Sequence, residues 1–311
     1  MIKRRTLLGA LALGGALRPA IGAPANVLRV GTQKGAAILM AERQRRGLET
    51  LLNPIGIDVQ WAEFQFGPPI LEAMRAGSVD IGLVGDTPPI FAQAARSDLL
   101  YVAAVPSGAS AILLPPASTI QSLPDLKGKR IAFARGSSAH NLTIAALEKA
   151  GLKPEDVRLT GLAPADAAAA FERGAIDAWT IWDPFYALHE ARPGVRVLVE
   201  STAIAPQSSF FIASRIYTEA NPDILAKVLG ELSVTSGWAA ANPAEVAQLV
   251  SAATAMPYEP VSRAIARYPF KVLPVSQADI RAQQEIADRF LRLGIIPNKI
   301  NVADQIWHAN T

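Results

Sequence analysis

Residues Arg130-Ile131-Ala132-Phe133-Ala134-Arg135-Gly136-Ser137-Ser138-Ala139-His140-Asn141 decide how the rest of the chain is read. An apolar run, Arg130 to Ala134, has the length and composition of a short strand. A helix follows to about Ala150, with Gly151 and Pro154 as its stop signals. Ser137 or Ser138 is a natural N-cap. The first amides of such a helix lack intrahelical acceptors and point one way, and the positive end of the helix dipole lies among them. That combination suits an anion. A helix start with a merely polar first turn uses the same residues, so the motif alone leaves both readings open.

Outward from this stretch the same strand-then-capped-helix order recurs. On the N-terminal side it predicts strands at 28–31, 58–64, 79–84 and 99–105, separated by helices over 36–52, 67–77 and 86–96. On the C-terminal side it predicts a strand at 157–160, a helix at 164–173, a strand at 176–181, a helix after Pro184, and strands at 195–199 and 208–213. Beyond residue 220 only helices are predicted, at 222–240, 243–253, 260–266 and 277–293, each beginning near a proline or polar cap. Alternation of this kind argues for parallel sheets with helices on their faces. Two such lobes give a cleft, and ligands in these sheets sit at the carboxyl ends of strands. The two halves share a plan without an evident residue-level repeat.

The chain has 311 residues, half of them hydrophobic and 18% charged, enough for two globular domains and a sizeable core. Residues 1–25 read as an export leader: Lys3, Arg4 and Arg5, an apolar run Leu7 to Leu17 too short to span a bilayer, and an Ala23-Pro24-Ala25 cleavage pattern. Cleavage after Ala25 avoids placing Pro24 beside the scissile bond. The Arg4-Arg5 pair resembles a twin-arginine signal, although ordinary secretory leaders also carry such pairs. Loss of residues 1–25 removes four basic residues and no acid, so the formal charge falls from +3 to −1. The basic balance therefore gives no argument for nucleic acid or a membrane surface. With no cysteine, disulfides, thiolate zinc sites, cysteine nucleophiles and a lipoprotein anchor are all excluded. Three widely spaced histidines do not suggest a metal site.

The polar residues at predicted strand ends are Gln33, Asp86, Thr87, Gly136, Ser137, Ser138, His140, Asn141, Trp182 and Asp183. No nucleophile elbow, dinucleotide fingerprint, phosphate loop or paired metal carboxylates accompany them. Neutral donors dominate, which suits a small, permanently ionised oxyanion; a sulfonate, with three acceptor oxygens and no proton, fits. In this reading Ser137, Ser138, His140 and Asn141 donate to the anion. Asp86 and Asp183 would repel it directly, so they cap helices, hold neighbouring donors, or meet an amino group on the ligand. Trp182 covers a ligand tail or belongs to the core. An exported enzyme with His140 and Asp183 as acid and base is the competing class.

Five motifs in order, at 31–35, 85–89, 136–141, 164–167 and 170–184, resemble the periplasmic aliphatic-sulfonate-binding proteins of ABC importers, within the nitrate/sulfonate/taurine group. The resemblance implies an α/β, two-lobed type II periplasmic binding fold with a hinged interdomain cleft. It also implies a cleft formed by 33, 86–87, 137–141 and 182–183, and delivery of the ligand to a membrane permease with its cytoplasmic ATPase. Residues 26–112 with 214–311 are expected to form one lobe and 113–213 the other. Further expectations are a periplasmic monomer without cofactor, metal, catalytic residues or nucleic-acid partner, touching the membrane only through the permease. Thr32 and Arg135 depart from the family pattern, which has an aromatic residue and a lysine there. Taurine, nitrate, a sulfate ester or a thiamine precursor are the alternative cargoes.

Overall fold

The computed structural model describes residues 26–204 and 207–308, so the leader and its cleavage site at Ala25 lie outside the described residues. The first unit runs β1 (Val27–Gln33), α1 (Ala37–Arg45), α2 (Gly47–Leu52), β2 (Asp58–Phe64), α3 (Gly67–Arg75), β3 (Ile81–Gly85), α4 (Thr87–Ala94) and β4 (Leu99–Pro106). The second runs β5 (Ser110–Leu114), β6 (Arg130–Phe133), α5 (Ser138–Lys149), β7 (Arg158–Gly161), α6 (Pro164–Glu172), β8 (Ala178–Trp182), α7 (Phe185–Glu190) and β9 (Arg196–Glu200). The chain then returns through β10 (Ser208–Ser214) to α8 (Arg215–Ala220), α9 (Pro222–Ala241), α10 (Pro243–Thr254), α11 (Tyr258–Ala266) and α12 (Gln277–Arg292).

Two five-stranded sheets result, ordered β2-β1-β3-β10-β4 and β7-β6-β8-β5-β9. Neither is wholly parallel, which corrects the expectation from β-α alternation. β10 lies antiparallel between β3 and β4, and β5 lies antiparallel between β8 and β9. Each sheet thus has an interior strand supplied by the chain as it passes from one lobe to the other. The crossings fall earlier than the sequence reading set them: Ser110–Leu114 lies wholly in the second sheet, and Ser208–Ser214 wholly in the first. Strand propensity carries no information about which sheet a strand joins, so periodicity could not separate the two possibilities.

The expected helix over 36–52 is two helices. Arg46 takes a left-handed φ of 56°, and the chain restarts as α2. The buried carboxylate of Glu42 accepts the Leu48 N–H at 2.5 Å and also receives the Thr235 hydroxyl, so it satisfies the new helix start from inside the core. Burial raises the Glu42 pKa, with the bonds from Thr235 and Leu48 opposing.

A residue-level repeat is present after all. Asp80, just before β3, accepts the Arg29 N–H of β1 at 2.8 Å, and Asp177, just before β8, accepts the Arg130 N–H of β6 at 2.8 Å. Gly77 and Gly174 precede these aspartates with left-handed φ of 74° and 66°, and Asp86 and Asp183 follow at matching positions. Each lobe ties its central strand, β3 or β8, to the neighbouring β1 or β6 by the same clasp.

Apolar residues fill both faces of the first sheet, with α1, α9 and α10 on one side and α3 on the other. The second sheet has its own two clusters. A fifth cluster joins the lobes: Ile90 and Ala94 of α4, Ile144 of α5, and Ile286, Ala287 and Phe290 of α12. The α12 residues recur at the i, i+1, i+4 spacing of one helical face. Its start is fixed by a capping box, Ser276 Oγ accepting the Asp279 N–H at 3.1 Å and Asp279 accepting the Ser276 N–H at 2.9 Å.

Candidate functional site

A cavity of about 80 Å³ lies between the lobes. The first lobe contributes the ends of β1 and β3, with Gln33, Leu83 and Gly85, and the second contributes Ser137 and Ser138 at the start of α5 and Trp182 and Asp183 at the end of β8. All four segments are carboxyl ends of strands or the helix starts that follow them. The floor is made by the crossing segments, Ser107 to Ser110 on one and Gln207 and Ser209 on the other. These two crossings are bonded together, Ser107 N–H to the Gln207 carbonyl at 3.2 Å and Ser107 Oγ to Ser209 Oγ at 3.0 Å. Tyr268, beyond α11, closes one side.

Of the ten residues expected from the sequence, Gln33, Ser137, Ser138, Trp182 and Asp183 reach this cavity. Asp86, Thr87, Gly136, His140 and Asn141 stand behind its wall. Asp86 is 1% exposed; its carboxylate receives the Thr87 hydroxyl at 2.7 Å and, across the cleft, the Asn141 amide at 3.1 Å. Burial pushes the Asp86 pKa up, and bonds from Thr87, Ser138 and Asn141 oppose it. Its side chain makes no cap to α4, whereas Gln283 Nε2 donates to its backbone carbonyl at 2.7 Å. Asp86 therefore holds neighbouring donors, one of the roles its sequence position allows.

His140 is the largest departure. Its ring stacks on Phe133 at 4.6 Å between centroids and on Phe91 of the other lobe at 5.8 Å, with Phe290 at 5.2 Å. Nδ1 accepts the Gly136 N–H at 3.3 Å, which leaves any ring proton on Nε2. Burial, helped by the nearby Arg135 charge, lowers its pKa to about 4. The neutral ring thus serves as a core aromatic in the seam between the lobes. A histidine one turn into a helix gave no sign in sequence of which face it would take, because two of its three aromatic partners, Phe91 and Phe290, come from distant segments.

At the start of α5, Ser137 occupies the N-cap position, yet its hydroxyl donates backwards to the Ala134 carbonyl at 2.7 Å. Gly136, with φ of 76°, makes the turn that allows this. The Gly136 and His140 amides are taken by His140 Nδ1 and the Ser137 carbonyl. The amides of Ser138 and Ala139 find no partner among the described residues. The helix start thus keeps open donors at its positive end. Ser110 and Tyr268 hydroxyls and the Trp182 indole N–H likewise make no hydrogen bond among the described residues. Gln33 and Gln207 amides are fixed, donating to the Leu83 carbonyl at 3.0 Å and the Ser138 carbonyl at 3.2 Å.

Among the described residues Asp183 is the only ionisable carboxylate on the cavity wall, and no lysine or arginine lines it. Oδ1 accepts the Ala187 N–H at 3.0 Å, capping α7; Oδ2 has no hydrogen bond, and Arg267 Nη1 stands 3.6 Å away. Burial raises its pKa to about 6, against the pull of Arg267. Arg267 also pairs with Glu190 and lies 4.6 Å over the Tyr186 ring, so the segment after α11 grips the second lobe. Gln207, Ser209, Ser107 to Ser110 and Tyr268 escaped the sequence reading. The serines of the two connectors are a readable signal once the crossings are known; Tyr268 carries none, since it arrives from the C-terminal helices. Among the described residues no three His, Cys, Asp or Glu side chains are grouped to hold a metal. No described helix is long and apolar enough to cross a membrane.

Residues 54–246 match a family model described as NMT1/THI5 like. The chain is similar to the alkanesulfonate-binding protein SsuA from Xanthomonas axonopodis pv. citri bound to MOPS, with 39% identity and a TM-score of 0.87 over 92% of this chain and 99% of that one. It is similar to the periplasmic aliphatic sulphonate binding protein SsuA from Escherichia coli, with 37% identity and a TM-score of 0.83 over 92% and 93% of the two chains. The taurine-binding periplasmic protein of Escherichia coli (strain K12) is 30% identical over 181 residues, 57% of this chain and 56% of its own.

Proposed function

We propose that this chain, which belongs to the NMT1/THI5-like family and within it to the aliphatic-sulfonate-binding proteins, captures aliphatic sulfonates between its lobes and hands them to an importer in the membrane. The observation that carries the reading is the cavity's donor set: hydroxyls, an indole N–H and the open amides of α5, with no basic side chain among the described residues. A sulfonate stays ionised at every physiological pH, so it needs hydrogen bonds to each oxygen and no proton from the protein. The open amides of Ser138 and Ala139 and the Ser110 hydroxyl are read as the head-group donors, since the Ser137 hydroxyl is held by the Ala134 carbonyl and that of Ser138 by Asp86, and Trp182 as a contact for the chain. The lobes close on the ligand by hinge motion at the paired crossings, and the closed form is what a permease with its cytoplasmic ATPase recognises. Export to the periplasm follows from the leader read in residues 1–25.

An aminosulfonate such as taurine is a second reading, favoured by the Asp183 carboxylate among the lining residues. Thermal unfolding in the presence of alkanesulfonates, taurine, sulfate and nitrate tests both, because a ligand bound only to the folded form stabilises by RT ln(1 + [L]/Kd). Alkanesulfonates are expected to raise the midpoint most. No shift with any member of the panel would overturn the reading.

A further inference from the structure

A second space adjoins the cavity. An open groove of about 660 Å³ lies along α1 and α10 beside the carboxyl ends of β1 and β2, and Gln33 lines both it and the cavity. The cavity's 80 Å³ has room for about five to eight waters at ~10–15 Å³ each, enough for a sulfonate head and a short chain. Longer ligands must put the remainder elsewhere.

We infer that the groove receives the tails of linear sulfonates too long for the cavity, the chain passing Gln33 to lie along Met40, Leu249 and Ala253. This rests on the sulfonate reading of the cavity. Three observations carry it. Gln33 is pinned by its bond to the Leu83 carbonyl, so the shared wall keeps its shape. Met40 and Leu249 are half-buried and pack on the core, a firm apolar strip, while Ala253 opposite is exposed and small. The Arg43–Glu63 pair, 3.9 Å apart, gives the rim both signs of charge, so a polar chain end of either sign is tolerated there.

Calorimetric titration of the protein with methane-, butane- and octanesulfonate tests this. Affinity is expected to rise along the series, by up to about fourfold per methylene where the chain is fully covered, the ratio equivalent to ~0.8 kcal/mol per buried CH₂. Ala253→Trp, at an exposed position of α10, is expected to cut octanesulfonate affinity at least tenfold and to leave methanesulfonate within about twofold. Ala252→Trp, its exposed neighbour, provides a second obstruction should the first disturb the helix. A flat chain-length profile in the unaltered protein overturns the tail site, as does an undiminished octanesulfonate gain in both variants. Failure of methanesulfonate and every longer homologue to bind would instead remove the sulfonate reading, and the tail site with it.

Discussion

The Asn141 side chain of the second lobe donates to the Asp86 carboxylate of the first at 3.1 Å, and Arg289 Nη1 donates to the same Asn141 side chain at 3.0 Å. Arg289 in turn holds Glu148 at 2.6 Å, so one polar chain runs from the first sheet through α5 to α12. Two residues whose sequence positions suggested ligand contact instead tie the lobes together behind the cavity. A buried carboxylate that loses a donor bears its desolvation cost uncompensated. Asn141→Leu is accordingly expected to destabilise the protein by about 1–3 kcal/mol and to weaken sulfonate binding severalfold without altering which head group is preferred. Chemical denaturation and titration check both; unchanged values in each would remove the clasp.

Gly85 faces Ser138 so closely that a Cβ on it would overlap the serine hydroxyl. Gly85→Ala is expected to hold the lobes apart, giving a larger radius of gyration in solution scattering with ligand present. Adding Ser138→Ala is expected to restore part of the compactness, since the overlap is with that side chain; full additivity of the two changes would contradict a direct contact.

His140 predicts a stability effect in place of a binding one. Its folded pKa of about 4 lies below the ordinary 6.5, so between those values the unfolded chain binds more protons and stability rises with pH. Acidification from pH 6.5 towards 4 therefore removes up to about 3 kcal/mol from this group. His140→Phe is expected to flatten that slope while retaining sulfonate affinity. A steep affinity loss in that variant would return His140 to the ligand site.

Asp183 has the opposite sign. Its folded pKa of about 6 lies above the ordinary carboxylate value, so its contribution is full below about 4 and lost as pH rises through 6. The two groups partly offset each other in stability between pH 4 and 6, which only the variants separate. For binding they do not cancel: an anion beside Asp183 favours the protonated carboxyl, so alkanesulfonate affinity is expected to increase as pH falls through 6 and proton uptake to accompany binding. Asp183→Asn is expected to abolish both. Taurine, if its ammonium meets the Asp183 carboxylate, would show the reverse trend.

Much of the fold was legible because it rests on local patterning. The Val27–Gln33 and Arg130–Phe133 strands, the prolines at helix starts and the Ser276–Asp279 box announce themselves within a few residues. So did the polar helix start at Ser137, and the connection of Trp182 and Asp183 to the same cleft. The repeat of Gly77-Ser78-Val79-Asp80 in Gly174-Ala175-Ile176-Asp177 stood in the sequence as well, but its meaning depends on Arg29 and Arg130, distant partners that only a sheet brings near.

What tertiary structure alone decided is partnership. Ser208–Ser214 has strand propensity wherever it is placed; the long-range pairing with β3 and β4 put it inside the first sheet and drew Ser107, Gln207 and Ser209 together as the cavity floor. His140 and Asn141 follow Ser138 in one helical turn, yet a residue's direction differs by about 100° from its neighbour's, so one serine meets the cavity, the histidine an aromatic seam and the asparagine a carboxylate from the other lobe. Side-chain chemistry and helix period are written in the local sequence. The surface each face meets is set largely by segments far along the chain, such as those carrying Asp86, Phe91 and Phe290, through packing energies that no local window contains.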